Sequence, residues 1–301
     1  MKERGQATVE WVGLIAVVAL LLIGLVAVGV RVPGADLARG IASRILCAAA
    51  LAERCGDEPT LIAAYGDEVG RLVREQMPTI LLERGSKALP VDFRRCRATA
   101  CADGTPRGVV HESDAGLAAT AFVHVIDCRE GGPGCEGPRA GNLYIQYWTY
   151  YADSATLRGV PVAGERGYHL DDWESVQVRI GPDGRVDERA SSHHGYNYTQ
   201  SVANAGSDAG LIPLRAAAEA VGARPRNGWG RSTRLLLVSG GSHAGNADGS
   251  LGRIDRIVPG RRVHLVPLEA IAAEEGDAYR FAVSPPWRKK VWRDPEAAGT
   301  N

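Results

Sequence analysis

His169-Leu170-Asp171-Asp172-Trp173-Glu174 sets one imidazole and three carboxylates in a single short run. In an extended strand, residues two apart project to the same side. Asp172 and Glu174 therefore share a side with Val176, Val178 and Ile180. Two carboxylates at the end of an apolar face need a partner, because an unpaired buried charge is costly. A hard divalent cation, Mg or Ca, would satisfy both, with their oxygens converging on one ion. His169 could ligate that ion, hold a metal-bound water or carry a proton. The alternative is that arginines pair with the acids and His169 is an ordinary loop histidine.

Three other stretches carry chemistry. Tyr147-Trp148-Thr149-Tyr150-Tyr151-Ala152-Asp153 is an aromatic strand ending in a carboxylate. Ser191-Ser192-His193-His194-Gly195-Tyr196 puts two histidines after a strand, and Ser239-Gly240-Gly241-Ser242-His243-Ala244-Gly245 ends an apolar run with a third. Glycines there let the backbone approach a ligand closely. Each polar group follows a strand, where a sandwich gathers its loops. The expected metal set is Asp153, His169, Asp172 and Glu174, with His193, His194 and His243 binding the ligand.

His169 to Glu174, preceded by the Tyr-Trp strand and followed by Ser-x-His-x-Gly, resembles the necrosis-inducing (Nep1-like) protein family. That family has an H-R-H-D-W-E core and binds a divalent cation in a β-sandwich. Gly241-Ser242-His243-Ala244, Pro285-Pro286-Trp287 and Trp292 resemble the related vacuolar protein sorting-associated protein 62 type domains. The resemblance covers Gly108 to Pro295. It implies that Asp172 matches the metal-binding aspartate, His169 and Glu174 its flanking histidine and glutamate, and Asp153 the acid ending the strand before. Leu170 and Asp171 stand where the family has Arg-His. Members of the family bind sphingolipid headgroups, so the resemblance implies a headgroup or glycan site that uses the metal.

The elements that would position these groups begin at Gly141. Leu143, Ile145 and Tyr147 alternate with Tyr144, Gln146 and Trp148, as in a half-buried strand. Trp173 to Ile180 alternates too, Gly181-Pro182-Asp183-Gly184 marks a turn, and Arg185 to Ala190 should return antiparallel. Leu235 to Val238 suits a strand covered on both sides, Arg262 to Val266 is another, and Pro267 could open a helix through Ala273. Short strands punctuated by glycine favour an antiparallel β-sandwich. Upstream, Ala35 to Glu53 and Pro59 to Gln76 read as helices, with Pro78 ending the second. Arg94 to Thr105 and Arg129 to Gly141 read as turn-rich loops.

At the N-terminus, Trp11 to Val30 carries no charge and no proline. At about 1.5 Å per residue it would span about 30 Å, the thickness of a bilayer core. Lys2 and Arg4 would stay cytoplasmic and send the rest of the chain outside the cell membrane as a single-pass protein. Gly5 followed by Glu10 resembles the prepilin signal of tight-adherence pilins and TadE-like pseudopilins. That resemblance implies processing after Gly5 by a prepilin peptidase, with pilus subunits as partners.

The chain has 301 residues, with Lys plus Arg at 35 and Asp plus Glu at 35. That balance leaves no electrostatic footprint for nucleic acid. In an extracytoplasmic chain, Cys47, Cys55, Cys96, Cys101, Cys128 and Cys135 read as disulfides, most simply paired in that order with the other connectivities open. The expected organisation is a pilin-like transmembrane anchor (1–33), a helical and cysteine-containing linker (34–107), a β-sandwich (108–295) and a disordered tail (296–301). The expected function is binding of a polar ligand through a divalent cation. The alternatives are a metal-dependent phosphoester or glycan hydrolase, with His169 or Glu174 as base, and a pilus-associated structural protein.

Overall fold

The computed structural model describes residues 58–84, 86, 88–98, 101, 114–155, 168–192, 195–197, 226–247, 254–275 and 279–297. The chain divides into two compact units, Met1–Leu72 and Val73–Asn301. Helix α1 (Glu58–Gln76) crosses that division. The expected single helix is two short ones, because Gly66 adopts φ 78° and ψ 167° inside it. Only glycine reaches such a conformation cheaply. The reversal brings Gly70 against Leu61 and Ile62, where an added Cβ would lie 2.9 Å from backbone atoms.

The second unit is built on strands. They are β1 (Thr79–Glu83), β2 (Thr120–Asp127), β3 (Leu143–Ala155), β4 (Tyr168–Ile180), β5 (Val186–Ser192) and β6 (Gly195–Asn197). β7 (Arg226–Asn227), β8 (Gly230–Arg231), β9 (Leu235–Val238), β10 (Gly245–Asn246), β11 (Ile254–Val258) and β12 (His264–Pro267) follow. Helices α2 (Phe93–Ala98) and α3 (Glu269–Glu275) complete the regular elements used below. The smaller sheet runs β10-β9-β1-β11 and the larger β12-β2-β3-β4-β5-β6-β7, with β8 beside β5.

Both sheets are mixed, which corrects the antiparallel expectation. β1 pairs parallel with β9, β12 with β2, and β6 with β7. Hairpin signals dictate antiparallel pairing only between neighbours in sequence, and β1 and β9 are joined by a long excursion. The transmembrane part of the expectation is also corrected: among the described residues no helix is long and apolar enough to cross a membrane. α1 interleaves its apolar positions with Asp67, Glu68, Arg71, Arg74 and Glu75. The expected span at Trp11 to Val30, the Gly5–Glu10 stretch and the helix at Ala35 to Glu53 lie outside the described residues. The loop read over Arg94 to Thr105 begins instead as α2.

Each face of the larger sheet is buried, for different reasons. Register puts Tyr150 opposite Trp173, Trp148 opposite Ser175 and Gln146 opposite Gln177 on one face. Here Phe93 of α2 sits among aromatic rings, with centroids 5.1 Å from Phe122, 5.4 Å from Trp173 and 4.9 Å from Tyr279. The last two are edge-on, and such pairs add about 0.5–1.5 kcal/mol each beyond area burial. The C-terminal segment 285–297 crosses the same face. Gln146 donates to the Val291 carbonyl at 2.7 Å, and buried Arg189 donates to the Pro295 carbonyl. Glu296 accepts from Tyr144, Arg179 and Trp229.

The opposite face carries Tyr151, Thr149, Tyr147, Asp172, Glu174, Val176 and Val178 by register. The smaller sheet covers it. Pairing puts Ile80, Leu82, Leu236 and Val238 on one side of that sheet, and Gly245 of β10 comes so close to β5 that an added Cβ would lie 2.8 Å from the Ala190 Cβ. Two disulfides, Cys96–Cys101 and Cys128–Cys135, pin the loops as the spacing predicted. Cys47 and Cys55 lie outside the described residues.

Candidate functional site

β3 and β4 pair along most of their length, and near the end of that ladder Asp171 has φ 57°. Alternation of sides nonetheless continues through it, with Asp171 and Trp173 on one face and Asp172 and Glu174 on the other. Asp171, Asp172 and Trp173 are all buried in succession because both faces of the sheet are covered here. Asp171 turns to the aromatic face, where Tyr150 donates to it at 2.6 Å and the Ala282 N–H at 2.7 Å. Asp172 turns to the other face.

There Asp172 Oδ2 meets His243 Nδ1 at 2.9 Å. His243 comes from the tight loop between β9 and β10 and has φ 53°. Its N–H donates to the Ser239 carbonyl, and the Ser239 N–H donates to the Ala244 carbonyl, which close the loop. Gly241 at φ 88° turns the loop, and Ser154 donates to its carbonyl, tying the loop to β3. The imidazole lies flat on Tyr151, with centroids 3.8 Å apart and planes 1° from parallel. Asp171 and His243 thus both hold left-handed backbone next to one site, where such strain is maintained by surrounding contacts.

Glu174 accepts from the Ser191 hydroxyl, whose oxygen also accepts the Ser175 N–H at 2.6 Å. Burial pushes the Glu174 carboxyl up to about 8, and the neighbouring charge of Asp172 adds to the shift. Two carboxylates on one face resist ionising together. The side-chain charge of Lys289, from the C-terminal segment, acts on both acids; burial lowers the lysine and the two carboxylates oppose that lowering. Asp172, Glu174, His243, Ser191 and Tyr151 form one polar cluster on the first half of β4, on which the Lys289 charge acts.

This arrangement corrects the expected cation centre. Among the described residues no three His, Cys, Asp or Glu side chains are grouped to hold a metal ion. The expected ligands are instead engaged by protein groups. Asp153 accepts from the Tyr168 hydroxyl at 3.0 Å, and His169 Nδ1 lies 3.1 Å from the Leu170 carbonyl beside it. Asp172 is taken by His243 and Glu174 by Ser191. The arginine alternative does not describe Asp172 and Glu174 either: an imidazole, a hydroxyl and a lysine charge act on them. His193 and His194 lie outside the described residues.

Sequence reasoning brought Asp172, Glu174 and His243 to one place but missed Lys289 and the part played by Tyr151. Lys289 is more than one hundred residues from β4, and nothing in its local pattern distinguishes it from surface lysines. Asp171 was legible as an acid, and its left-handed backbone was not.

No protein-family model matches this chain, and no curated protein matches it. The prepilin-like reading of Gly5 to Glu10 gains no support there. The chain is similar in structure to a solved protein described as "Toxin fold for microbial attack and plant defense". The two are 16% identical with a TM-score of 0.43, over 78% of this chain and 92% of that one.

Proposed function

We propose that the cluster on the first half of β4 binds a hydroxyl-rich polar ligand, a glycan or a lipid headgroup, directly through protein groups. The observation that carries this reading is the pairing of Asp172 and Glu174 on one buried face, with His243 and Ser191 holding one oxygen of each. An ionised carboxylate accepts hydroxyl protons, and a carboxyl kept protonated near neutral pH donates one, so the pair offers both halves of a sugar hydroxyl's bonding. Lys289 adds a positive charge suited to a phosphorylated headgroup. The disulfides support an oxidising, extracytoplasmic setting.

The test is titration calorimetry with neutral oligosaccharides and with vesicles bearing glycosylated or phosphorylated headgroups. Glu174→Gln should weaken binding of either, and Lys289→Met should weaken only the phosphorylated ones. Unchanged binding in both variants would place the ligand elsewhere. A second reading is favoured by the same raised carboxyl, since a general acid works best with a pKa near the working pH. Turnover of model glycosides that vanishes in Glu174→Gln would select it over simple binding.

A further inference from the structure

The stretch 279–293 carries five Lys or Arg and no Asp or Glu, in a chain whose net charge is zero. It also carries Tyr279, Phe281, Trp287 and Trp292. From Pro285 onward it crosses the aromatic face of the larger sheet, opposite the face that holds Asp172 and Glu174. Pro285, Pro286 and Val291 are buried against that face, and Gln146 holds the Val291 carbonyl. Arg288, Lys290 and Arg293 are turned outward, and all three are exposed. The backbone makes two short 3-10 turns, Pro286–Arg288 and Lys290–Trp292, and the Arg293 N–H donates to the Lys290 carbonyl at 3.2 Å. Side chains three apart in such a turn eclipse, so Lys290 and Arg293 share a side.

The neighbouring carboxylates are engaged elsewhere. Asp294 meets Arg139, Glu296 meets Arg179, Asp171 accepts from Tyr150 and Ala282, and Glu269 lies against His124 and Val125. Among the described residues no carboxylate pairs with Lys290 or Arg293. The two tryptophans beside these cations are half-buried. Trp287 sets its ring against Trp173 and Phe281, and Trp292 stacks on His124. An indole with one side in protein and the rest at the surface suits the headgroup level of a bilayer.

We infer that the strip from Trp287 to Arg293 is a docking surface for an anionic lipid bilayer. Arg288, Lys290 and Arg293 meet the lipid phosphates, and Trp287 and Trp292 settle among the headgroups. A soluble polyanion would engage the cations and leave the indoles idle. Because the chain has no net charge, attraction to such a surface comes from this local excess. The strip lies across the sheet from the Asp172 cluster, so the inference does not rest on the ligand proposed for that cluster.

Co-sedimentation compares the full chain on vesicles of phosphatidylcholine with vesicles that also contain phosphatidylglycerol. The anionic vesicles should hold more protein, and the excess should fall as salt is raised. Lys290→Gln/Arg293→Gln should cut that excess about twenty-five-fold, about fivefold for each cation near an anionic surface, and leave binding to neutral vesicles unchanged. Arg261→Gln/Arg262→Gln removes the same charge from two exposed residues in the turn before β12 and should bind as the unaltered chain does. Equal binding to both vesicles would overturn the inference, and so would equal losses in the two double variants, which would reduce the effect to net charge. The excess should persist in Glu174→Gln; its loss there would move the contact to the Asp172 cluster. Acylation by a water-soluble amine reagent tests the unaltered chain. Anionic vesicles should shield Lys290 where neutral ones do not, and labelling equal in both, or shielding by soluble polyphosphate as complete as that by the vesicles, would rule out a bilayer as the partner.

Discussion

Asp171 and Asp172 are neighbours in the chain, yet they serve opposite faces of one sheet. Asp171 receives the Tyr150 hydroxyl and the Ala282 N–H among aromatic rings, while Asp172 holds His243 beneath the smaller sheet. Ordinary alternation along β4 does this, with Asp171 and Trp173 on the aromatic face and Asp172 and Glu174 on the other, even though Asp171 holds a left-handed backbone. Two adjacent carboxylates thus link the aromatic core to the polar cluster.

Removing Asp172 should be more damaging than removing its charge. Asp172→Ala leaves the fully buried His243 imidazole without its carboxylate, at a cost of about 3 kcal/mol. Asp172→Asn retains an oxygen that accepts from Nδ1–H and should cost only about 1 kcal/mol. Urea unfolding midpoints separate the two; equal losses would mean that charge, not the hydrogen bond, holds His243.

Glu174 gives stability a definite pH dependence. Its folded carboxyl is pushed up to about 8 by burial and by Asp172, against an ordinary value of 4.5. Between those values the folded chain keeps a proton that the unfolded chain has released, so stability falls as pH rises through that window. Glu188 contributes a slope of the same sign, since burial pushes it up to about 7. The difference between the protein and Glu174→Gln isolates the first group. That difference should change across the window and be flat above it, and a difference constant throughout would contradict the shift.

The strands that carry the site were legible because their alternation is regular. Leu143 to Trp148, Trp173 to Ile180 and the Gly181–Gly184 turn lie where the period and turn residues put them. Parity also placed Asp172 and Glu174 on the side of Val176 correctly. The parallel pairing of β1 with β9 was not legible, because no local signal links segments so far apart. The expected cation site failed for a related reason. Spacing shows that acids share a face, but not that His243, Ser191 and Tyr168 arrive from other elements to take their hydrogen bonds.

The Cys128–Cys135 disulfide closes a short loop at the end of β2, next to the Asn142 carbonyl that accepts the Cys128 N–H. Loop entropy assigns a bridge of this length about 2.5 kcal/mol. The double variant Cys128→Ala/Cys135→Ala should lose about that much in denaturant unfolding without a change in slope. A changed slope would indicate instead that the bridge also organises the unfolded chain.

Gly245 packs directly against β5. A methyl group there would lie 2.8 Å from the Ala190 Cβ and 3.2 Å from the Ser191 carbonyl oxygen. Both neighbours belong to β5, and Ser191 also holds Glu174. Since Ala190 is fully buried and Ser191 is built into the strand, relief must come from moving β10 off β5. Gly245→Ala should therefore cost about 1–3 kcal/mol, the range for overpacking a filled interior. Because β10 follows the His243 loop directly, the same shift should lengthen the His243–Asp172 contact. A lowered unfolding midpoint with an unaltered His243 Nδ1 resonance would show that the sheets separate without disturbing the site, and would confine the role of Gly245 to packing.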